Sequence, residues 1–342
     1  LSGSWLLAQN IVVRNPFLAP DSELLFYGKG RRKQLQDDRW WDIYIDPVLE
    51  TTDRSATCFE RPYNVSHSRP AKTNDLRYTD LIQYAGTLLE TVGIGRVSLS
   101  ESEQALLGQI ESEIAARFDV DMSIVDQVGR DLSLRRVRLP LYRRLLQRVS
   151  PKVAFLTASY GGRETFVEAC QAEGVPVVEL QHGVMTRYHI AYSFPDVAKH
   201  VFPDYFFSFG DYWADSVDLP LPDEQVISVG YPYLERRSSR YADQSSDERI
   251  VIISQRRVRE QLSRFALLLD NSDTVDSDVV YKLHPDEYDG WRDAYPRLAD
   301  SNVEVVGDEP PLYELFATST TQVGVNSTAL FEGLKFGLDT YI

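Results

Sequence analysis

Three short polar clusters carry the side chains best suited to chemistry. They are Gln181-His182-Gly183, Lys282-Leu-His284-Pro285 and Asn326-Ser327-Thr328. A histidine is neutral near pH 7 and can take a proton from a hydroxyl, so His182 is a candidate general base. Gly183 lets the chain turn sharply behind it and expose the imidazole. Glu179 is a candidate to orient it, although strand alternation places Glu179 and Leu180 on opposite faces. His284 is placed to donate to a phosphate oxygen, and Lys282 would share its face. Arg256 and Arg257 add further cations nearby. Ser327 and Thr328 open a helix, where unpaired backbone N–H groups favour an anion. Each cluster also has a plain structural reading: a capping histidine, an ordinary N-cap, a surface arginine. The spacing of His182, His189 and His200 fits no helical metal pair, and no metal or cofactor is expected.

The clusters gain weight from the elements that must hold them. From Val153 onward the chain alternates between short apolar runs and helical patterns. Val153–Leu156, 175–180, 205–209 and 226–229 read as strands, with a helix opened by Gly161-Gly162 and closed by Gly174. A second alternation has strands at 250–253, 279–283, 303–306 and 321–325, separated by helices near 258–269, 288–298, 311–317 and 328–336. Two doubly wound α/β domains follow, 1–234 and 250–342, with the polar segment 235–249 as linker. The three clusters lie just past strands, and open α/β sheets bind ligands at that edge. Earlier in the chain, 5–13, 23–27 and 41–45 read as strands, 51–75 as a long loop and 80–89 as a helix. Ser100 and Glu103 form a capping box ahead of a stripe at Ala105, Leu106, Ile110, Ile114 and Phe118. The last residues, 339–342, read as the opening of a strand, so the C-terminal domain is expected to be incomplete.

The 342 residues carry 51 acidic and 36 basic side chains, a net charge of −15. That field works against nucleic-acid binding, which depends on neutralising phosphates. Only seven of the basic residues are lysines, the acidic, lysine-poor surface expected of a salt-adapted, halophilic source. Two cysteines, Cys58 and Cys170, make no disulfide framework, and no apolar stretch approaches a membrane span. A cytoplasmic location is expected. The segment 134–148 concentrates Arg135, Arg136, Arg138, Arg143, Arg144 and Arg148. It reads either as a solvated helix face pairing with local carboxylates or as peripheral contact with the inner face of a membrane.

These motifs resemble those of surface-polysaccharide glycosyltransferases of the GT-B fold. The resemblance is carried by Val177-Val-Glu-Leu-Gln-His-Gly183, Phe202-Pro-Asp-Tyr205, Phe209-Gly210 and Val229-Gly-Tyr-Pro232. Lys282-Leu-His-Pro285 and Asn326-Ser-Thr328 resemble the His-Pro and paired Ser/Thr motifs of bacterial sialyltransferases and capsule polymerases. Gln181-His-Gly183 is similar to the Trp-His-Gly element of teichoic-acid polyol-phosphate polymerases. The match covers about 150–342 and lacks the acidic motif from which sialyltransferases draw their base, which shifts that role to His182. The resemblance implies two Rossmann-like domains facing a cleft and a metal-independent transfer from a nucleotide-sugar donor to a glycan or lipid-linked glycan acceptor. It implies His182 as base, with Gln181 and Gly183 on the acceptor side. Lys282, His284, Asn326, Ser327, Thr328 and Arg256 would hold the donor, and Glu332 its ribose. The competing expectations are a UDP-sugar 2-epimerase of the same architecture and a non-catalytic carbohydrate-binding scaffold.

Overall fold

A computed structural model describes residues 2–35, 37–194 and 199–342. The chain divides into two compact units, Leu1–Gly230 and Tyr231–Ile342. The segment read as a linker begins instead with the helix Pro232–Ser238, already part of the second unit.

The N-terminal unit is built on seven parallel strands: β1 (Leu24–Gly28), β2 (Ala56–Glu60), β3 (Leu76–Tyr78), β4 (Val153–Leu156), β5 (Val177–Leu180), β6 (Tyr205–Ser208) and β7 (Val226–Ser228). Their spatial order is β3-β2-β1-β4-β5-β6-β7. β1 is continuously apolar because helices cover both faces of a parallel sheet. Tyr27 packs on one face with Ile82, Tyr142, Leu145 and Phe166, and Phe26 on the other with Ile45, Cys58 and Leu76. The helices are α1 (Ser2–Val12), α2 (Asp80–Thr91), α3 (Glu101–Phe118), α4 (Ile124–Val149) and α5 (Glu164–Ala172).

Three readings of this unit are corrected. Residues 5–13 are helical in α1, where buried Asn10 binds the carbonyls of Val13 and Arg14 and receives the Leu81 N–H. The supposed loop 51–75 contains β2, a buried central strand. Its polar residues hid it. Thr57 meets Ser22 at 2.7 Å, and Glu60 holds Arg32 at 2.5 Å and His67 at 2.8 Å. At 41–45 only Trp40–Trp41 is extended, and Asp42 then accepts the N–H groups of Tyr44 and Ile45 to make a turn. The capping box at Ser100 forms with both halves, yet no residue of α3 is buried. On α4, Arg135 pairs with Glu168 of α5 and Arg143 with Glu173 just past its end, Arg148 pairs with Asp21, and Arg138 binds the Gln83 carbonyl. Local carboxylates therefore take three of the six arginines of this segment. Among the described residues no helix is long and apolar enough to cross a membrane.

The C-terminal unit has five parallel strands: β8 (Arg249–Ile253), β9 (Asp278–Lys282), β10 (Glu304–Val306), β11 (Thr321–Val323) and β12 (Asp339–Tyr341), ordered β10-β9-β8-β11-β12. Its core gathers Ile252, Leu262, Ala266, Tyr281 and Leu298. α6 (Arg259–Asp270), α7 (Leu312–Ala317) and α8 (Thr328–Leu334) are the main helices. The helix expected over 288–298 is two short turns, Trp291–Ala294 and Pro296–Ala299. Pro296 has no N–H to continue the first, and it biases Tyr295 away from helical geometry. In both sheets the first strand has its successors on either side, so the chain direction reverses between β1 and β4 and between β8 and β11.

Candidate functional site

His182 follows β5 at the carboxyl edge of the N-terminal sheet. It is half-buried among three tyrosines, with Tyr44, Tyr160 and Tyr192 ring centres at 6.3, 6.0 and 6.3 Å. The Tyr44 hydroxyl donates to the His182 carbonyl at 2.7 Å and anchors its backbone. Nδ1 lies 3.5 Å from the Tyr192 hydroxyl, and Nε2 lies 3.3 Å from that of Tyr160. Tyr192 donates its own proton to Glu179. The buried carboxylate also accepts the Ser159 N–H at 3.1 Å.

With the Tyr192 proton on Glu179, the tyrosine oxygen is left to accept from Nδ1–H. Nε2 then carries the lone pair. Glu179 thus does orient the imidazole, through Tyr192 rather than by the direct contact that alternation forbids. Burial, together with the cations Lys29 and Arg163, holds His182 well below the ordinary imidazole value. Burial likewise raises Glu179, countered by its bonds to Tyr192 and Ser159. The result is a neutral imidazole connected through Tyr192 to a buried carboxyl group.

The other two residues of the cluster are structural. Gln181 is fully buried; its amide donates to the Gly183 carbonyl at 2.9 Å and accepts the Phe209 N–H at 2.7 Å. It ties the end of β5 to the end of β6 and offers no group to a ligand.

In the C-terminal unit His284 leaves β9 and caps the turn Pro285–Glu287. Its Nδ1 accepts the Asp286 N–H at 3.2 Å, which puts the ring proton on Nε2. About a third of the side chain is exposed, at 37%. Glu287, buried beneath, accepts from the His284 N–H at 3.1 Å, the Ser254 hydroxyl at 2.6 Å and the Tyr295 hydroxyl at 2.5 Å. The capping role and an outward-facing N–H donor therefore coexist in one residue.

Lys282 is corrected. It is buried, and its ammonium binds the Gly307 and Pro310 carbonyls, fixing the loop after β10 instead of reaching the strand-end edge. Ser327 accepts the Ala329 N–H at 3.3 Å, the ordinary N-cap of α8, with half-buried Thr328 next to it. Asn326 is exposed. Its backbone is bracketed by Gln255, which donates to the carbonyl at 2.5 Å and accepts the N–H at 3.2 Å. This bond spans the point where the strand order reverses. Arg256 is exposed beside it. Glu332 lies half-buried on α8, and its charge adds to the burial that pushes the Tyr233 hydroxyl up to about 12.

Four residues of the N-terminal site carry no motif: Lys29, Tyr160, Arg163 and Tyr192. For Lys29, Tyr160 and Arg163 the reversal between β1 and β4 was the available signal, since it directs attention to the loops after those two strands, whereas Tyr192 lies beyond β5.

No protein-family model matches the chain, and no curated protein does. Solved structures do. The S. aureus MnaA–UDP co-structure superposes with a TM-score of 0.51 at 13% identity, covering 93% of this chain and 78% of that one. The UDP-N-acetylglucosamine 2-epimerase of Rickettsia bellii gives 0.49 at 11% identity, covering 93% and 78%. The wall teichoic acid polymerase TagF gives 0.46 at 10%, covering 99% and 77%. With its two parallel sheets, each wound in both directions from a first central strand, the chain has the paired Rossmann-like domains of the GT-B fold. Its structural neighbours are GT-B enzymes, and at these identities the likeness is one of fold.

Proposed function

We propose that the protein is a metal-independent transferase. It moves a sugar or polyol phosphate from a nucleotide-activated donor to a hydroxyl of a surface-glycan acceptor. The observation that carries this reading is the state of His182: neutral, with Nε2 as acceptor, and linked through Tyr192 to a buried carboxyl group. A hydroxyl in the position of the Tyr160 oxygen would lose its proton to Nε2 as it attacked the donor, and Glu179 would steady the imidazolium formed. In the C-terminal unit the outward Nε2–H of His284, the Gln255–Asn326 bracket and Arg256 would meet the donor phosphates. Neutralising the leaving group with such donors requires no metal. Glu332 would serve the ribose.

The MnaA structure was determined with UDP, which favours a uridine nucleotide as the first donor to try. The test is a thermal-shift panel of UDP-, CMP-, CDP-, GDP- and dTDP-linked donors. At least one should raise the melting temperature, and His284→Ala should abolish the shift. No shift with any donor contradicts the reading. Consumption of a UDP-sugar with no acceptor present would assign the protein to the epimerase alternative instead.

A further inference from the structure

The loops that leave β1 and β4 sit at the reversal of the N-terminal sheet, and among the described residues their cations Lys29 and Arg163 form no direct ion pair, with Glu179 and Asp42 acting on them only from a distance. Lys29 is half-buried and makes no hydrogen bond or ion pair among the described residues; its ammonium rests 5.8 Å from the Tyr160 ring centre. Arg163 is only 5% exposed. Among the described residues its Nε is buried without a hydrogen-bond partner, its guanidinium lies 5.5 Å from the Tyr27 ring centre, and its one side-chain hydrogen bond, to the Gly28 carbonyl, is long at 3.4 Å. Arg61, at the end of β2, donates to the Gly161 carbonyl at 2.7 Å from the rim. Two carboxylates lie in the neighbourhood, and both are occupied. Glu179 is held by Tyr192 and Ser159, and Asp42 caps the turn at Tyr44 and Ile45. In a chain with 51 acidic residues and so few lysines, leaving a buried lysine and arginine unpaired is costly unless a ligand pairs them.

We propose that Lys29 and Arg163, with Arg61 at the rim, form a phosphate-binding subsite of the N-terminal unit beside His182. A substrate phosphate carries about −1.5 to −2 charge and three acceptor oxygens, which suits two adjacent cations. A guanidinium edge and an ammonium point charge then share its oxygens. A carboxylate would leave one cation uncompensated, and a neutral sugar both. Burial and the neighbouring Arg163 lower the Lys29 ammonium to about 8, the strain expected of cations waiting for an anion. The subsite rests on the reading of His182 as the base, and places a phosphate next to the reacting hydroxyl. Its source is either a phosphorylated acceptor or the donor's own diphosphate.

Because Lys29 is partly deprotonated near pH 8, cyanate will carbamylate it readily, and peptide mass spectrometry will report the rate without any turnover. In the whole 342-residue chain, glycerol 3-phosphate or UDP at about four times its Kd should slow that reaction about fivefold, with glycerol and matched chloride inert. Protection by glycerol 3-phosphate that survives His284→Ala names the acceptor as the source. Protection by UDP with none by glycerol 3-phosphate names the donor. Arg163→Gln, or Arg61→Gln should the first fail to fold, should weaken the protection. No protection by either phosphate, or protection unchanged in the variants, overturns the subsite. A donor that still raises the melting temperature while no phosphate protects Lys29 removes the subsite and leaves the transferase reading standing, so the two readings fail separately.

Discussion

At the scale of single residues, the arrangement around His182 makes a definite statement about pH. An imidazole that resists protonation keeps its lone pair below the ~6.5 of a free histidine. The acid limb of the kcat/KM profile should therefore fall below that value. Tyr192 acts through its contact with His182, as a positioning residue. Tyr192→Phe cuts the link to Glu179, so the imidazolium loses its support. kcat should drop about tenfold or more, with the acid limb displaced to still lower pH and donor affinity unchanged. A profile identical to wild type would leave Tyr192 with packing alone. His182 was legible in the sequence because glycine follows it at a strand end. Tyr160 and Tyr192 were not, because loop tyrosines obey no period and reach the histidine from 22 and 10 positions away.

At the scale of elements, buried apolar strands announced themselves and mixed ones did not. β4, β5, β8 and β9 stand within about two residues of where continuous Val, Ile and Leu place them. β2 escaped because Thr57 and Glu60 serve partners far along the chain, and only the folded molecule shows that they are satisfied. The same holds for α8 and β11. Gln322 of β11, fully buried, donates to the Leu330 carbonyl at 2.6 Å and to Thr340 at 2.7 Å, fixing the helix behind Ser327. Gly333 leaves room for it: a Cβ there would stand 2.1 Å from the Gln322 amide oxygen. Gly333→Ala should destabilise the C-terminal unit by about 1–3 kcal/mol, read by urea denaturation. Unchanged stability would show that Gln322 can give way.

At the scale of the whole molecule, the account assigns two jobs to two folded units. In the proposed function the unit Leu1–Gly230 would supply the base and its relay, and the unit Tyr231–Ile342 would supply the donors for a diphosphate. The two-domain architecture was readable from the alternation of elements after Val153. The boundary was not, because the helix Pro232–Ser238 is rich in arginine and serine and looks like a linker by composition. Division of labour has a sharp consequence for a single substitution. His182→Gln, assayed for turnover with donor Kd measured on the same preparation, is the most direct measurement. The account predicts turnover reduced about 100-fold or more with the Kd within twofold of wild type. Turnover at the wild-type rate would remove His182 from the chemistry and contradict the central claim.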